Sequence, residues 1–403
     1  MSSGRPGAHR PGRTGHLATL AVLLGTAGCG GAEVPSESPV GVNVLRQSID
    51  ATRMLPITEE LRLGGDDDEA TSFFRVLGAA QDTGGNLYVL EYGNYRVSVF
   101  DAGGALTHRF GRQGEGPGDF VGPFYLWLSG DTIAVGDRQN RLHFFRTDGT
   151  HLLTRIYAEL GAEGDGWTTG APSNSPAGWL LSTTSYFRRD ESGSDANLKP
   201  MPRMKLMAVE EGGTLTDTGL LWGLESQGMW SGVYWLQAPA QHQPTWAVDG
   251  LGRFHVAETD DYSLDVYATD GTHIKRIENE APRIRVDDDL LDLWRKSRCT
   301  SGPECDPRRD ELALSLPGPE SRPMVGRIYG FAEGHTAVRR ADSDPDPYDR
   351  TAVGELDFFD PEGHFMGRVP SGRTPWWFDG RTLIVTERDE QGIEYVVRYR
   401  VEG

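Results

Sequence analysis

The amino-acid sequence predicts an all-β fold built from six repeats of four short strands, the pattern of a six-bladed β-propeller. Short apolar segments of alternating polarity recur from about residue 78, and Asp-Gly or Gly-Gly turns separate them. The chain has 52 Gly among 403 residues and few long helical patterns. Its last repeat also lacks a fourth strand, which a segment near the N-terminus can supply. Together these observations favour a closed ring of small sheets.

The first 28 residues are typical of a secretory signal. Three Arg residues precede an apolar run over residues 17–24, and small residues follow up to Cys29. A run of this length is too short to span a membrane. The order Thr26-Ala27-Gly28-Cys29 resembles the bacterial lipobox, although that motif prefers Leu at the position of Thr26. The resemblance implies lipidation of Cys29; an ordinary cleaved signal with an unmodified Cys29 is the alternative.

Residues 29–51 are expected to form the lipidated Cys and a tether, followed by a propeller over residues 52–403. This arrangement places the protein in the bacterial cell envelope, in the periplasm or at the cell surface, with the outer membrane as the expected site of the anchor. Removal of residues 1–28 takes away three Arg and no acidic residue, which changes the net charge from −19 to −22. Such a charge excludes nucleic acid as a partner and favours cationic or neutral ligands. We expect a monomer.

The clearest repeat runs from Gly85 to Asp101, where two alternating segments flank a turn, and it ends at Gly103-Gly104. A second copy begins at Thr132 and a third at Phe254. Weaker copies occupy Trp179–Val209, Thr336–Phe359 and Leu383–Tyr399. An apolar stretch before each repeat supplies the innermost strand, as at Phe124–Leu128, Trp246–Val248 and Trp376–Phe378. Four strands per repeat give six blades.

The sixth repeat ends with the chain, where its third strand should turn into a fourth. The segment Ile57–Leu63 precedes the first repeat and has the composition of a strand. Pairing of this segment with the last repeat would close the ring and remove the exposed sheet edges.

The repeats also resemble NHL repeats, in which a strand ending in Val-Ala-Asp leads through an Asn-containing turn to a strand that starts with Arg. The resemblance rests mainly on the repeats that begin at Gly85 and Thr132. With the lipobox, the chain is similar over about residues 52–403 to the six-bladed β-propeller lipoproteins of bacteria. That resemblance implies a scaffold for interactions with other molecules.

The two faces of the predicted disc differ. One face, here called the compact face, carries the turns between strands one and two and between strands three and four of each blade, and these turns are tight. The other face, here called the elaborated face, carries the remaining connections and every long insertion. The insertions are roughly 158–175, 188–203, 222–242, 278–323 and 339–353. Because function commonly sits on loops held by a rigid scaffold, we expect the site on the elaborated face.

The largest insertion, about 278–323, is predicted to be helical. Three Asp residues at 287–289 precede Leu290, Leu291 and Trp294, and basic residues follow at the far end, in accord with the helix dipole. A second short helix is expected after Asp306. Cys299 and Cys305 lie between the helices and could form a disulfide outside the cytoplasm. The insertion is either a stapled lid over the channel mouth or a packed decoration.

Four predicted blades place an acid where the second strand leaves for the elaborated face, and a fifth places Arg340 there. The acids are Glu91, Asp137, Glu258 and Glu387. A ring of carboxylates could bind Ca²⁺ or a cationic ligand. The alternative is structural: the acids cap their turns and pair with the next Arg, as Glu91 with Arg96.

Two functions follow from these features. The first is a non-catalytic binding protein that holds a protein, peptide or glycan on the elaborated face. The second is a metal-dependent hydrolase, lactonase or lyase, of the kind found among distantly similar six-bladed proteins, with carboxylates at the channel mouth. The sequence contains no nucleophile, zinc or nucleotide-binding motif of the common kinds. The expected cofactor is therefore none, with Ca²⁺ as the alternative, and we favour the binding protein.

Overall fold

A computed structural model of the protein describes residues 42–65, 71–139, 141–156, 167–168, 179–188, 199–209, 215–223, 229–230, 235–258, 260–298, 307–342 and 354–402. The chain divides into two units, Met1–Gly31 and Ala32–Gly403, and all described residues belong to the second. Cys29, Cys299 and Cys305 lie outside the described residues, as does the predicted signal. None of the described helices is long and apolar enough to cross a membrane.

The described chain forms six large sheets, each of which contains four strands in antiparallel order. Two strands precede the first blade: β1 (Asn43–Ser48) and β2 (Ile57–Gly64). Blade 1 comprises β3 (Val76–Gln81), β4 (Leu87–Glu91), β5 (Arg96–Phe100) and β6 (Leu106–Phe110). Blade 2 comprises β7 (Pro123–Ser129), β8 (Thr132–Asp137), β9 (Arg141–Arg146) and β10 (His151–Ile156). Blade 3 comprises β11 (Trp167–Thr168), β12 (Trp179–Arg188), β13 (Lys199–Val209) and β14 (Leu215–Gly223).

A small two-stranded sheet, β15 (Met229–Trp230) and β16 (Trp235–Leu236), then leads into blade 4. Blade 4 comprises β17 (Thr245–Val248), β18 (Phe254–Ala257), β19 (Ser263–Tyr267) and β20 (His273–Glu280). The helices α1 (Asp288–Arg298) and α2 (Pro307–Ser315) follow. Blade 5 comprises β21 (Val325–Gly330), β22 (Thr336–Arg340), β23 (Leu356–Phe359) and β24 (Phe365–Val369). Blade 6 comprises β25 (Arg373–Phe378), β26 (Thr382–Arg388), β27 (Glu394–Val401) and the N-terminal strand β2. The predicted all-β propeller fold is confirmed, and so is the helical character of the insertion.

The ring closes as the sequence predicts. β2 pairs antiparallel with β27, with Ile57 opposite Val401 and Leu63 opposite Val396. Leu63 and Val396 then pack with Val76 and Leu87 of blade 1 in one buried cluster. Glu394 adds a polar link, since its Oε2 accepts a hydrogen bond from the Val76 backbone N–H at 2.8 Å. The first and last blades are therefore joined by apolar packing and by a buried hydrogen bond.

The N-terminal segment also contacts two further blades. β1 runs parallel to β20 as a fifth strand of blade 4, although the sequence assigned residues 29–51 to the tether. Gln47 continues this contact to blade 5, because its Nε2 donates to the Gly363 carbonyl at 2.8 Å and its Oε1 accepts from the Phe365 N–H at 3.0 Å. Leu55 donates its N–H to the Arg368 carbonyl of β24 at 2.8 Å. Residues 43–64, here called the N-terminal belt, thus cross the outer edges of blades 4, 5 and 6.

The tight turns of the compact face are held by Asp side chains. Asp82 Oδ1 accepts hydrogen bonds from the N–H groups of Gly84 and Asn86, both at 2.9 Å. Asp101 makes the equivalent bonds after β5, to Gly103 and Ala105. Such local bonds explain why Asp recurs at these turns, since its short side chain satisfies backbone donors that the turn leaves unpaired.

Candidate functional site

Glu91 is fully buried and belongs to a network within blade 1. Its Oε1 accepts hydrogen bonds from Arg96 Nε at 2.8 Å and from Ser98 Oγ at 2.6 Å. Asn94 Nδ2 donates to Oε2 at 2.5 Å. The predicted pairing of Glu91 with Arg96 is confirmed, and this carboxylate holds together the start and end of the turn between β4 and β5.

Asp137 occupies the equivalent position in blade 2 and is also fully buried. Arg141 Nε donates to its Oδ2 at 2.9 Å, His143 Nε2 lies 3.3 Å from the same oxygen, and the Val121 N–H donates to it at 3.1 Å. Burial alone would raise the pKa of Asp137, but the hydrogen bonds from His143, Arg141 and Val121 outweigh burial and lower the pKa to about 2. Asp137 is therefore an ionised structural group.

Glu387 in blade 6 is held by partners that are distant in sequence. Arg373 Nε and the Tyr399 hydroxyl donate to its Oε1 at 2.7 and 2.6 Å, and Arg62 of β2 donates to its Oε2 at 2.7 Å. Burial would raise the pKa of Glu387, but the hydrogen bonds from Tyr399 and Arg62 outweigh it and lower the pKa. This carboxylate therefore binds the closing strand to its blade.

Arg340, the residue predicted at this position in blade 5, lies inside the protein. Its Nε donates to Asp342 Oδ1 at 2.7 Å, its Nη1 lies 3.6 Å from Asp357 Oδ2, and its guanidinium lies over the Tyr262 ring at 4.9 Å. Tyr262 comes from blade 4 and donates its hydroxyl to Asp357 at 2.8 Å. Arg340 thus belongs to a buried ionic network between blades 4 and 5.

Glu258 is the most exposed of the four acids, although part of its side chain is covered by neighbouring residues. Partial burial and the neighbouring carboxylates of Asp260 and Asp265 raise its pKa. The structure gives Glu91, Asp137, Glu387 and Arg340 four separate sets of partners and does not bring the predicted carboxylates together. Among the described residues, no group of three or more His, Cys, Asp or Glu side chains is placed to hold a metal ion.

The side chain directly after each buried acid has a different environment. Tyr92 follows Glu91, and Arg138 follows Asp137; both lie on the elaborated face between blades 1 and 2. The Arg138 guanidinium carbon lies 5.0 Å from the Tyr92 ring centroid, and that of Arg75 lies 4.5 Å from it. Phe74, next to Arg75, has 58% of its surface exposed. We call Phe74, Arg75, Tyr92 and Arg138 the arginine–tyrosine patch.

Sequence reasoning missed this patch, although a signal was present. Successive side chains of a strand point to opposite sides. An acid that turns into its blade at the end of the second strand is therefore followed by a residue directed away from it. Glu91 and Asp137 were predicted as candidates because they are carboxylates, whereas Tyr92 and Arg138, which follow them, have no acidic group and were not.

A cleft lies elsewhere on the elaborated face, beside the base of the helical insertion. It has a volume of about 410 Å³ and includes His242, Asp260, Arg283, Glu320 and Ser321 in its lining. His242 is buried; its Nδ1 contacts an Asp260 carboxylate oxygen, and its Nε2 lies 2.9 Å from the Ser321 carbonyl oxygen. Both ring nitrogens face acceptors, so His242 connects the loop before blade 4 to the insertion.

No protein-family model matches this chain, and no curated protein sequence matches it. Solved structures that are similar include a member of the DUF4221 family from Bacteroides vulgatus, at 10% identity over 86% of this chain and 98% of that chain, with a TM-score of 0.48. A virginiamycin B lyase from Staphylococcus aureus is 11% identical over 84% and 98%, with a TM-score of 0.38. The calcium-binding protein regucalcin from Agrobacterium tumefaciens is 13% identical over 89% and 97%, with a TM-score of 0.36. Likeness at this level transfers no activity or ligand to this chain.

Proposed function

We propose that this chain is a non-catalytic binding protein of the bacterial cell envelope, which holds a protein, peptide or glycan on the elaborated face of its propeller. The observation that carries this proposal is the arginine–tyrosine patch. Three of the four predicted carboxylates are engaged by Arg side chains and are fixed in the blades. The patch instead presents aromatic and cationic groups at the surface, the residue types that dominate binding hot spots.

The proposed lipid anchor at Cys29 agrees with the use of this face. Asn43 lies opposite Lys275 near the start of β20, and Ser48 lies opposite Glu280 at its end. Because β20 starts at the compact-face turn around Gly271, the chain enters the propeller at the compact face. An anchor upstream of residue 42 would therefore be attached on the side of the propeller away from the proposed binding face.

The test uses the chain from residue 30 on peptide and glycan arrays. Two exposed Glu side chains allow a matched comparison, Glu390 on the elaborated face and Glu362 on the compact face. Each is changed to Cys, in a background with Cys299→Ser and Cys305→Ser, and is modified with maleimide-polyethylene glycol. We expect the polymer at position 390 to reduce array binding at least several-fold and the polymer at position 362 to leave it unchanged.

The array signal of the Cys-free background is compared first with that of the parent chain, so that any effect of the two Ser changes is known. Equal binding with the polymer on either face would contradict a site on the elaborated face. Retention of no peptide or glycan at all would contradict the binding function itself.

A further inference from the structure

We propose that the arginine–tyrosine patch binds a peptide segment in which Asp or Glu adjoins an aromatic side chain. The inference rests on the proposed function and specifies the chemistry of its partner. The two guanidinium groups would take the carboxylate oxygens, and Phe74 would cover the aromatic side chain.

The charges of Arg75 and Arg138 favour a carboxylate ligand. Arg75 and Arg138 both lie over the Tyr92 ring, so their guanidinium carbons are within about 9.5 Å of each other. Neither has a carboxylate partner among the described residues, whereas Arg96, Arg141 and Arg373 each have one. Two like charges at this separation repel each other, and a bound carboxylate would relieve the repulsion. Arg is also the side chain best suited to bidentate recognition of a carboxylate.

The backbone that presents the patch is held in an uncommon conformation. Arg75, directly before β3, has a φ of 57°, and Tyr95, at the end of the turn between β4 and β5, has a φ of 54°. These are left-handed conformations that cost energy for residues other than Gly. Two backbone hydrogen bonds join the segment before β3 to the turn after β4, from the Tyr92 N–H to the Arg75 carbonyl at 2.9 Å and from the Gly93 N–H to the Phe74 carbonyl at 3.0 Å. The patch is thus built on a fixed support.

Two glycines make room for the patch. A Cβ at Gly93 would lie 2.0 Å from the Phe74 ring, so only Gly lets that ring cross the loop. A Cβ at Gly122 would lie 2.9 Å from Arg138 Cδ and 3.4 Å from the Tyr92 ring, and Gly122 has a φ of 65°. Phe74 is nevertheless mostly exposed. Its packing against Gly93 therefore holds the ring at the surface and does not bury it.

The cationic patch contrasts with the chain as a whole, which has a net charge of −19. A long polyanion such as a nucleic acid or a sulfated glycan would meet repulsion beyond the two Arg side chains. A short peptide segment with one or two carboxylates would be attracted to the two Arg side chains and would not extend into the surrounding negative charge. The exposed ring of Phe74 adds an apolar contact beside the charges, which favours an aromatic residue next to the acid.

The test is fluorescence anisotropy with the chain from residue 30 and three labelled heptapeptides. Their central residues are Glu-Phe-Glu, Gln-Phe-Gln and Glu-Ala-Glu. We expect the first to bind most tightly and the other two to bind more weakly by about tenfold. Arg75→Gln with Arg138→Gln should raise the Kd of the Glu-Phe-Glu peptide by about tenfold or more. Phe74→Ala should weaken the Glu-Phe-Glu peptide and leave the Glu-Ala-Glu peptide unchanged.

Arg112→Gln is the matched control for charge, because Arg112 lies on the loop between the same two blades, is exposed, and is paired with Asp119 at 2.8 Å. Arg138→Gln alone serves as a second variant if the double variant fails to fold, since Arg138 is on an exposed turn. Three results would overturn the proposal. Arg112→Gln could weaken binding as much as the patch variants do, or the Glu-Phe-Glu peptide could fail to bind at concentrations up to about 1 mM. The third is a heparin fragment or an oligonucleotide that binds more tightly than the Glu-Phe-Glu peptide. The two proposals can fail separately. If the polymer at position 390 blocks array binding but the patch variants do not change it, this inference is overturned and the proposed function stands.

Discussion

At the scale of single residues, the acids at the ends of the second strands are structural charges with local donors. Asp137 shows the strongest case, because it is fully buried and accepts hydrogen bonds from Arg141, His143 and the backbone. Removing one partner of a buried ion pair costs more than the pair contributes, since the remaining charge has no compensation.

The pKa of Asp137 predicts acid sensitivity in blade 2. The folded state holds this pKa at about 2, below the usual 3.8. The ionised carboxylate therefore stabilises the fold above pH 4, and this contribution is lost as the pH falls from about 4 to about 2. The shift corresponds to about 2 kcal/mol. We expect Asp137→Asn to lower the free energy of unfolding by about 3–5 kcal/mol at pH 7, and this deficit to be smaller by about 2 kcal/mol near pH 2, measured by urea unfolding.

Asp131→Asn is the control for this prediction, because Asp131 is exposed and forms only a long ion pair, with 3.7 Å between its Oδ2 and Arg146 Nη1. It should change the free energy of unfolding by less than about 1 kcal/mol at any pH. A deficit in Asp137→Asn that is the same at pH 2 and pH 7 would show that the carboxylate charge is not what stabilises blade 2.

At the scale of elements, the helical insertion is a unit attached at its base. Arg322 N–H donates to the Ile284 carbonyl at 2.8 Å and Val286 N–H to the Glu320 carbonyl at 3.0 Å, so the two ends of the insertion form a short antiparallel pair. Asp287 Oδ1 accepts from the Leu290 N–H at 2.9 Å and caps α1. His242 joins this base to the loop before blade 4.

His242→Phe tests this attachment. The change keeps an aromatic ring of similar size and removes both nitrogen contacts, to Asp260 and to Ser321. We expect faster amide hydrogen exchange over 288–298 and 307–315, by roughly five- to tenfold, because losing these bonds costs about 1 kcal/mol of local stability. Exchange in blade 1 should stay as in the parent chain.

His364→Phe is the matched control, since His364 is exposed on the compact face and, within the described part of the chain, forms hydrogen bonds only with Asp360. His364→Phe should leave amide hydrogen exchange in the insertion unchanged. Uniformly faster exchange in His242→Phe across all blades would mean that His242 supports the propeller as a whole and does not act on the insertion alone.

At the scale of the whole molecule, the N-terminal belt connects the ends of a ring. β2 covers the edge of β27, β1 covers the edge of β20, and Leu55 contacts the edge of β24. An uncovered β27 would leave a row of unpaired backbone groups, which promotes association between chains.

Truncation distinguishes the parts of the belt. A chain that starts at residue 42 keeps the whole belt and should unfold in one cooperative thermal transition as a monomer. A chain that starts at residue 52 loses β1 and should unfold at a lower temperature. A chain that starts at residue 66 loses β2 and should aggregate or form oligomers, as measured by size-exclusion chromatography. A monomeric chain from residue 66 with an unchanged transition would contradict closure by β2.

Much of the fold could be predicted from the sequence because its determinants are local. The Asp-Gly turns, the alternation of apolar residues and the pairing of Glu91 with Arg96 involve residues at most a few positions apart. The helix over Asp288–Arg298 was predictable for the same reason, from its acidic start and apolar stripe. Even closure by β2 followed from counting strands, since a ring with an unpaired edge is incomplete.

Contacts between distant segments could not be predicted in this way. Arg62 and Glu387 are 325 positions apart, and Gln47 reaches Gly363 across 316 positions. Likewise, the position of Arg340 in the repeat suggested a ligand-binding residue at the surface. Packing of blade 4 against blade 5 instead buries Arg340 beside Tyr262 and Asp357.

The sequence by itself determined the repeat, the turns, the strand that closes the ring and the face that carries the insertions, because backbone propensity and side-chain alternation act over a few residues. The tertiary structure alone decided which charges are buried and which are exposed. The solvation of a charge depends on everything packed around it, and those neighbours come from other blades. Arg75, Tyr92 and Arg138 are therefore ordinary loop residues in the sequence and become one patch only where blade 1 meets blade 2.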